Sequence, residues 1–260
     1  MTTFLWVIFP YIALAVFVVG HIWRYRYDKF GWTTRSSQLY ESKLLRIGSP
    51  LFHYGILLAL VGHVMGLLIP KRFTDWLGIP NETWHNFAVI GGWVSGVMIV
   101  IGFVILVFRR RTTKAVFNAT TVNDKAMYLL LGLVILTGVW NTLSTTFSHH
   151  YNYREGVSPY FRSIFMLQPE AHLIADAPLQ FQLHALGAFL LFLVWPFTRL
   201  VHVFSAPIGY LNRPYIVYRS AGDRRAMDGV RAPAGTWDKP GQQTRAQQVG
   251  AHRAERTRDR

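Results

Sequence analysis

The amino-acid sequence predicts an all-α integral membrane protein with five transmembrane helices. Three observations predict it. Of the 260 residues, 51% are hydrophobic, and they gather in five uninterrupted runs rather than on alternating faces. The basic residues fall almost entirely on alternate connections between those runs. Two runs carry histidines, side chains that lipid tolerates only where something uses or satisfies them. A helix needs about 20 apolar residues to cross a bilayer. Only helices and closed barrels satisfy their backbone in lipid, and these runs are too long and too apolar for barrel strands.

The first run, Phe4–Trp23, has no basic segment ahead of it, is long for the apolar core of a signal peptide, and lacks a small-residue cleavage site; it is expected as a retained span. The connection Arg24–Pro50 carries a stretch, Arg35–Arg46, expected as a short surface helix. Ser49-Pro50 then opens the second span, Leu51–Ile69, with proline at a helix start. In the third, Phe87–Phe108, Gly92-Trp-Val-Ser-Gly96 is a small-xxx-small pattern expected to let a neighbouring helix approach closely. The fourth, Ala126–Leu143, has no charge and no histidine and reads as scaffold. In the long connection Ser144–Gln182, the stretch Tyr160–Gln168 is apolar enough to lie at the membrane interface. Leu183–Phe204 is the fifth span. The chain therefore divides into a membrane domain, 1–219, and a basic tail, 220–260, that lacks apolar runs and is expected to be disordered. No internal repeat supports an inverted-repeat transporter.

The formal net charge is +14, and its placement tells more than its size. One set of connections holds Lys71, Arg72, Arg154 and Arg162; the other holds 22 basic residues, or 11 without the stretch after the last span. The positive-inside rule then puts the N-terminus outside and the C-terminus in the cytoplasm. The charge reports topology and contact with membrane lipids, so no nucleic-acid role is expected. The chain has no cysteine, which excludes disulfides, covalent c-type haem and cysteine-held iron–sulfur clusters within it.

His53 and His63 lie in the second span, His184 and His202 in the fifth. The two spans run in opposite directions, so His63 and His184 share the outer level and His53 and His202 the inner one. The 18 residues from His184 to His202 make five whole α-helical turns, about 27 Å, and put both on one face. The 10 residues from His53 to His63 rise only about 15 Å and turn the side chains about 80° apart. A single ion per pair does not absorb that mismatch; haem tilted between two imidazoles, helix tilt, and a bend at Pro196 do. Bis-histidine haem is the chemistry that fits best, in a diheme helical bundle. The competing readings are interhelical hydrogen bonding and a zinc or copper site without its usual carboxylate or thiolate.

Arg199 is the one charge within the fifth span and precedes His202 by one turn. It is expected at a propionate of the inner haem, with snorkelling to the headgroups as the alternative. Arg109-Arg-Arg111 can serve there too, or as a stop-transfer cluster. His21 reads as an interhelical hydrogen-bonding group, and His149, His150, His172 and His252 as solvated.

Leu51-Phe-His-Tyr-Gly-Ile-Leu57, Val61-Gly-His63, Ser36-Ser-Gln38, Pro196-Phe-Thr-Arg-Leu-Val-His202 and Ala206-Pro-Ile-Gly-Tyr-Leu211 resemble the gamma subunit of membrane-bound respiratory nitrate reductase, over roughly residues 5–218. The resemblance implies a cytochrome b with two b haems in a bacterial or archaeal cell membrane. His63 and His184 would ligate the outer, distal haem; His53 and His202 would ligate the inner, proximal one. It further implies oxidation of a quinol, menaquinol or ubiquinol, near the outer haem. Electrons would pass to a cytoplasmic iron–sulfur beta subunit and a molybdenum-containing alpha subunit that reduces nitrate. Residues Tyr210–Tyr218 and the cytoplasmic basic loops would dock the beta subunit. Gly62 matches a position at the family's quinol pocket. Thr83 falls where the family can show a lysine that assists quinol, and His85 is the expected proton acceptor beside it. Two readings compete: a diheme anchor for another quinone-linked reductase, such as a heterodisulfide type, and a haem-free transporter using membrane histidines.

Overall fold

Five helices are long and apolar enough to cross a membrane: Phe4–Tyr27 (α1), Lys43–Leu68 (α2), Asn81–Thr112 (α4), Val122–Phe147 (α6) and a fifth whose α-helical part is Leu179–Val194 (α9). The computed structural model describes residues 1–28, 37–147 and 151–205. Short helices join the spans: Lys71–Trp76 (α3), Lys114–Asn118 (α5), Val157–Phe165 (α7) and Ala171–Ala175 (α8). The spans expose large apolar side chains such as Val19, Leu57, Val104 and Leu136. Such a surface is tolerable only where the solvent is lipid.

The helices run past the apolar runs at most ends, but the fifth stops short of Phe204. α2 starts at Lys43, so Pro50 lies inside the helix rather than opening it. It removes one main-chain donor, a loss that membrane helices tolerate where neighbours re-satisfy the backbone. The surface helix expected over Arg35–Arg46 is replaced, in its described part, by a turn at Gln38–Tyr40 leading into α2. Arg109, 2% exposed, pins this turn by bonding the hydroxyl and carbonyl of Ser37 and the carboxylate and carbonyl of Glu41. Burial pushes the Glu41 carboxyl up, but hydrogen bonds from Leu44 N–H, Arg109 and the neighbouring amides outweigh it and hold the group below its usual range.

Close approach of α2 and α4 occurs at glycines other than the expected pair. A Cβ on Gly102 would stand 2.6 Å from Phe52 N, and one on Gly55 would stand 2.9 Å from Ile99 N. Gly92 faces Thr142 of α6, and Gly96 faces open space. Phe52, Ile99, Met127, Leu131 and Leu191 form one buried cluster that joins α2, α4, α6 and α9. A second cluster, with Trp6, Tyr160, Ile164, Ile174 and Phe189, joins α1 and α9 to α7 and α8. The stretch expected at the membrane interface is therefore divided. Tyr160 and Ile164 are buried against the bundle, each 1% exposed, and Phe165, Met166, Leu167 and Gln168 face outward. The Ala206–Leu211 motif, Tyr210–Tyr218, the boundary at 219, the tail, His149, His150 and His252 lie outside the described residues.

Candidate functional site: two histidine pairs

α2 and α9 bring the four membrane histidines together two by two. The rings of His53 and His202 lie 6.0 Å apart, centre to centre, with their planes at 72°. Those of His63 and His184 lie 5.9 Å apart at 29°. Only an antiparallel arrangement joins the first histidine of one span to the last of the other.

In all four residues Nδ1 faces a main-chain carbonyl. The acceptor is Ser49 O for His53, Ala59 O for His63 and Arg199 O for His202, each at 2.7 Å, and Val134 O for His184 at 3.2 Å. A carbonyl only accepts, so Nδ1 carries the proton and Nε2 keeps its lone pair, the form of imidazole that binds metal. No hydrogen bond to a described residue occupies any of these Nε2 atoms. Two imidazoles on opposite sides of one metal ion, each bonded at about 2.0 Å, hold their ring centres about 6 Å apart. No third His, Cys, Asp or Glu joins either pair among the described residues. Zinc would be left short of its usual four ligands. Haem brings four equatorial nitrogens of its own, so the residues present fit it at both levels.

His63 ends the regular part of α2. The next turn, Val64–Leu68, is π-helical, a form frequent beside functional sites. α7 packs on it: Ser158 Oγ donates to Gly66 O and Arg162 Nη1 to Leu67 O, both at 2.8 Å. Tyr160 OH donates to Trp6 O (2.9 Å) in the π-helical turn that opens α1. Burial raises the Tyr160 hydroxyl well above its ordinary range, which keeps it protonated and donating.

His184 faces α6, where Thr137 Oγ1 lies 3.1 Å from its Nδ1 and a Cβ on Gly138 would stand 3.1 Å from its ring. α6 is thus more than scaffold. Thr137-Gly138, a polar and a small residue inside an apolar run, is the signal that sequence reasoning missed.

His202 is not on the α-helix. α9 ends at Val194, and Trp195–Phe197 and Arg199–Ser205 are 3₁₀ segments. The five-turn argument for a shared face therefore fails, because Pro196 ends the helix rather than bending it. Arg199 Nε bonds Asp124 Oδ1 at 2.7 Å, and Nη1 and Nη2 bond no described residue. Arg110 is engaged by Tyr128 and Thr120, as Arg109 is by the Ser37–Glu41 turn. His21 Nδ1 bonds Phe17 O of its own helix (2.6 Å), and His172 is exposed on α8.

Gly62 and Thr83 are exposed and His85 is half-buried; a Cβ on Gly62 would meet nothing within 4 Å. Between Thr83 and His85, Trp84 bonds Tyr153 OH (3.3 Å), and Tyr153 packs on Gly66. Arg154, 4% exposed, stacks 4.6 Å from the centre of the Trp84 ring and donates to Thr74 Oγ1 and Asn81 Oδ1. Sequence reasoning took Arg154 for a loop charge; its burial beside Trp84 depends on contacts 73 and 80 residues away.

Residues 2–221 match the family model described as nitrate reductase gamma subunit. The nitrate reductase gamma chain of Bacillus subtilis is 45% identical over 83% of this chain and 96% of its own length. The respiratory nitrate reductase 1 gamma chain of Escherichia coli is 36% identical over 85% of this chain and 98% of its own. The nitrate reductase-like protein NarX of Mycobacterium tuberculosis is 55% identical over 83% of this chain, which spans only 33% of that relative's length. With five spans and the family's motif histidines gathered at two levels, the chain belongs to the nitrate reductase gamma subunit family.

Proposed function

We propose that this chain is the membrane anchor and quinol-oxidising cytochrome b subunit of a respiratory nitrate reductase. It passes electrons from quinol through two b haems to an iron–sulfur beta subunit, for nitrate reduction on a molybdenum-containing alpha subunit. The observation that carries this reading is the geometry of the two histidine pairs. Ring centres stand 6.0 and 5.9 Å apart, and every Nδ1 is tied to a carbonyl, which presents Nε2 for ligation. His53 and His202 would hold the inner haem, His63 and His184 the outer one. Bound haem supplies one-electron transfer at each level.

The chain's own part is to position, orient and exclude water. The backbone carbonyls fix each imidazole, and Thr137 and Gly138 seat His184. The Nη groups of Arg199, which bond no described residue, would be available to an inner propionate, while Asp124 keeps the guanidinium in place. At the outer end Thr83 offers a hydroxyl to a quinol oxygen, His85 takes the proton, and the exposed Gly62 leaves room for the ring. The positive-inside distribution supports an outer position for this pocket and a cytoplasmic one for the basic connections and tail, where the beta subunit would dock. Protons leave outward while electrons move inward, which builds membrane potential.

The test is a redox-titrated optical spectrum of the purified complex with haem and metal stoichiometry. Two b haems per chain, both reduced by quinol, with molybdenum and iron–sulfur subunits co-purifying, is the expected result. A haem-free chain overturns the reading in favour of a transporter. Two haems with a different catalytic partner keep the cytochrome and reassign the acceptor.

A further inference from the structure

The break in the fifth span lies between its two histidines. After Trp195–Phe197, Thr198 is extended (φ −112°, ψ 177°) before the 3₁₀ segment Arg199–Ser205. A helix end leaves its last carbonyls without main-chain donors. Here side chains of two other spans take that role. Arg24 Nη1 of α1 donates to Pro196 O (2.5 Å) and Thr198 O (3.1 Å). Asn123 Nδ2 of α6 donates to Phe197 O (2.6 Å). Thr198 Oγ1 accepts Leu200 N–H (3.2 Å) and caps the next segment. Asp124 Oδ1 accepts Arg199 Nε (2.7 Å), and Arg199 O accepts His202 Nδ1 (2.7 Å). Asp124 is itself fixed by a reciprocal cap at the start of α6. Thr121 N–H donates to Asp124 Oδ2 (3.0 Å), and Asp124 N–H donates to Thr121 Oγ1 (3.1 Å).

We infer that Arg24, Asn123 and Asp124 are positioning residues for the inner pair: they hold the Pro196–Thr198 break and, through Arg199, set the orientation in which His202 meets His53. A 3₁₀ segment advances about 2.0 Å and turns about 120° per residue, against 1.5 Å and 100° for an α-helix. Any relaxation of the break therefore moves His202 in both height and direction. None of the three residues bonds the imidazole, so each acts through the backbone or through Arg199. The inference rests on the proposed reading of the pair as a haem site.

The test uses the full chain in its membrane complex, with Asn123→Ala, Arg24→Gln, Asp124→Ala and Asp124→Glu. The readouts are haem per chain, the midpoint potential of each haem, and the g values of the ferric low-spin signals. His53→Ala identifies the inner haem. Asn123→Ala and Arg24→Gln should keep two haems and shift the potential and g values of the inner one alone. Asp124→Ala should lower the count from two to one, and Asp124→Glu should restore it. An inner haem unchanged in both Asn123→Ala and Asp124→Ala overturns the inference, as does an equal shift of both haems. If Asp124→Ala does not accumulate, Asn123→Ala, which deletes one hydrogen bond, decides. Fewer than two haems in the wild-type chain refutes the haem reading itself, so the two failures are distinguishable.

Discussion

The inner and outer histidine pairs reach the same ring spacing by different means. At the inner level His202 stands on a broken helix, and the break is held by a guanidinium, an amide and a carboxylate from α1 and α6. At the outer level His63 stands on regular helix, and the turn beyond it is π-helical and covered by α7. The difference follows from the sequence spacing. Ten residues separate the histidines of α2 and eighteen those of the fifth span, yet the ring centres stand 6.0 and 5.9 Å apart. Between His53 and His63 the helix is unbroken, whereas His184 and His202 are separated by the break at Trp195–Thr198. The residues that hold the break, Arg24, Asn123 and Asp124, flank the apolar runs of their own helices.

The largest effects should come from the ligands. His53→Ala or His202→Ala should remove the inner haem, leave the outer one reducible by quinol, and bring quinol-driven nitrate reduction to background. His63→Ala or His184→Ala should remove the outer haem and block quinol oxidation at its source. Pyridine haemochrome counts and single-turnover reduction by quinol read both. Retention of two haems with full activity in any one of these variants would break the pairing.

How much of this contrast can be read from the chain alone follows from what lipid demands. The five spans were legible because hydrocarbon forces long apolar runs, and the pairing was legible because opposite chain directions leave only one match by depth. Helix ends were not, since Lys43–Pro50 and Asn81–Asn86 are polar enough to leave the hydrocarbon but still helical. Thr121-Val-Asn-Asp124 is a helix-start signature in hindsight, but its second task on Arg199 depends on an element 75 residues away. Pro196 marked a disturbance and not its form, because proline is compatible with a kink or a stop. The apolar stretch at Tyr160 was read for lipid, whereas its alternation of buried and exposed side chains is that of an amphipathic helix docked on protein.

Two glycines sharpen the comparison at the next level. A Cβ on Gly138 would stand 3.1 Å from the His184 ring, and one on Gly20 would stand 2.8 Å from Pro196 Cβ. Gly138→Leu should displace His184 and lower outer haem occupancy; Gly20→Leu should push on the break and lower inner haem occupancy. Overpacking of this kind costs about 1–3 kcal/mol, enough to move the thermal midpoint of the detergent-purified complex by several degrees. Loss of the same haem in both variants would show that the two levels are not separately supported.

The lid over the outer level should matter less. Ser158→Ala deletes one buried hydrogen bond to Gly66 O, a change worth about 1–3 kcal/mol when an acceptor is left unpaired. The expected outcome is two haems, an outer midpoint potential moved by a small amount, and an inner one unchanged. Arg154→Gln removes the cation over Trp84 and should act in the same direction. Redox titration of each variant checks both.

The smallest effect is expected at Thr83 and His85, and it bears on the outer level alone. Thr83 is exposed and offers a neutral hydroxyl where the family can show a lysine, so its removal costs one hydrogen bond to quinol and no charge. That is about 0.5–1.5 kcal/mol, or roughly a two- to twelve-fold rise in KM with kcat preserved. Thr83→Lys supplies a cation there and should lower KM. His85→Gln keeps a hydrogen-bonding side chain and removes the proton acceptor, so it should lower kcat and flatten its pH dependence near neutrality while KM stays within a few-fold. Haem content and both potentials should be unchanged in all three variants, because neither residue touches a ligand histidine. Unaltered KM and kcat in Thr83→Ala and His85→Gln would move the quinol pocket away from the start of α4, leaving the histidine pairs as they are.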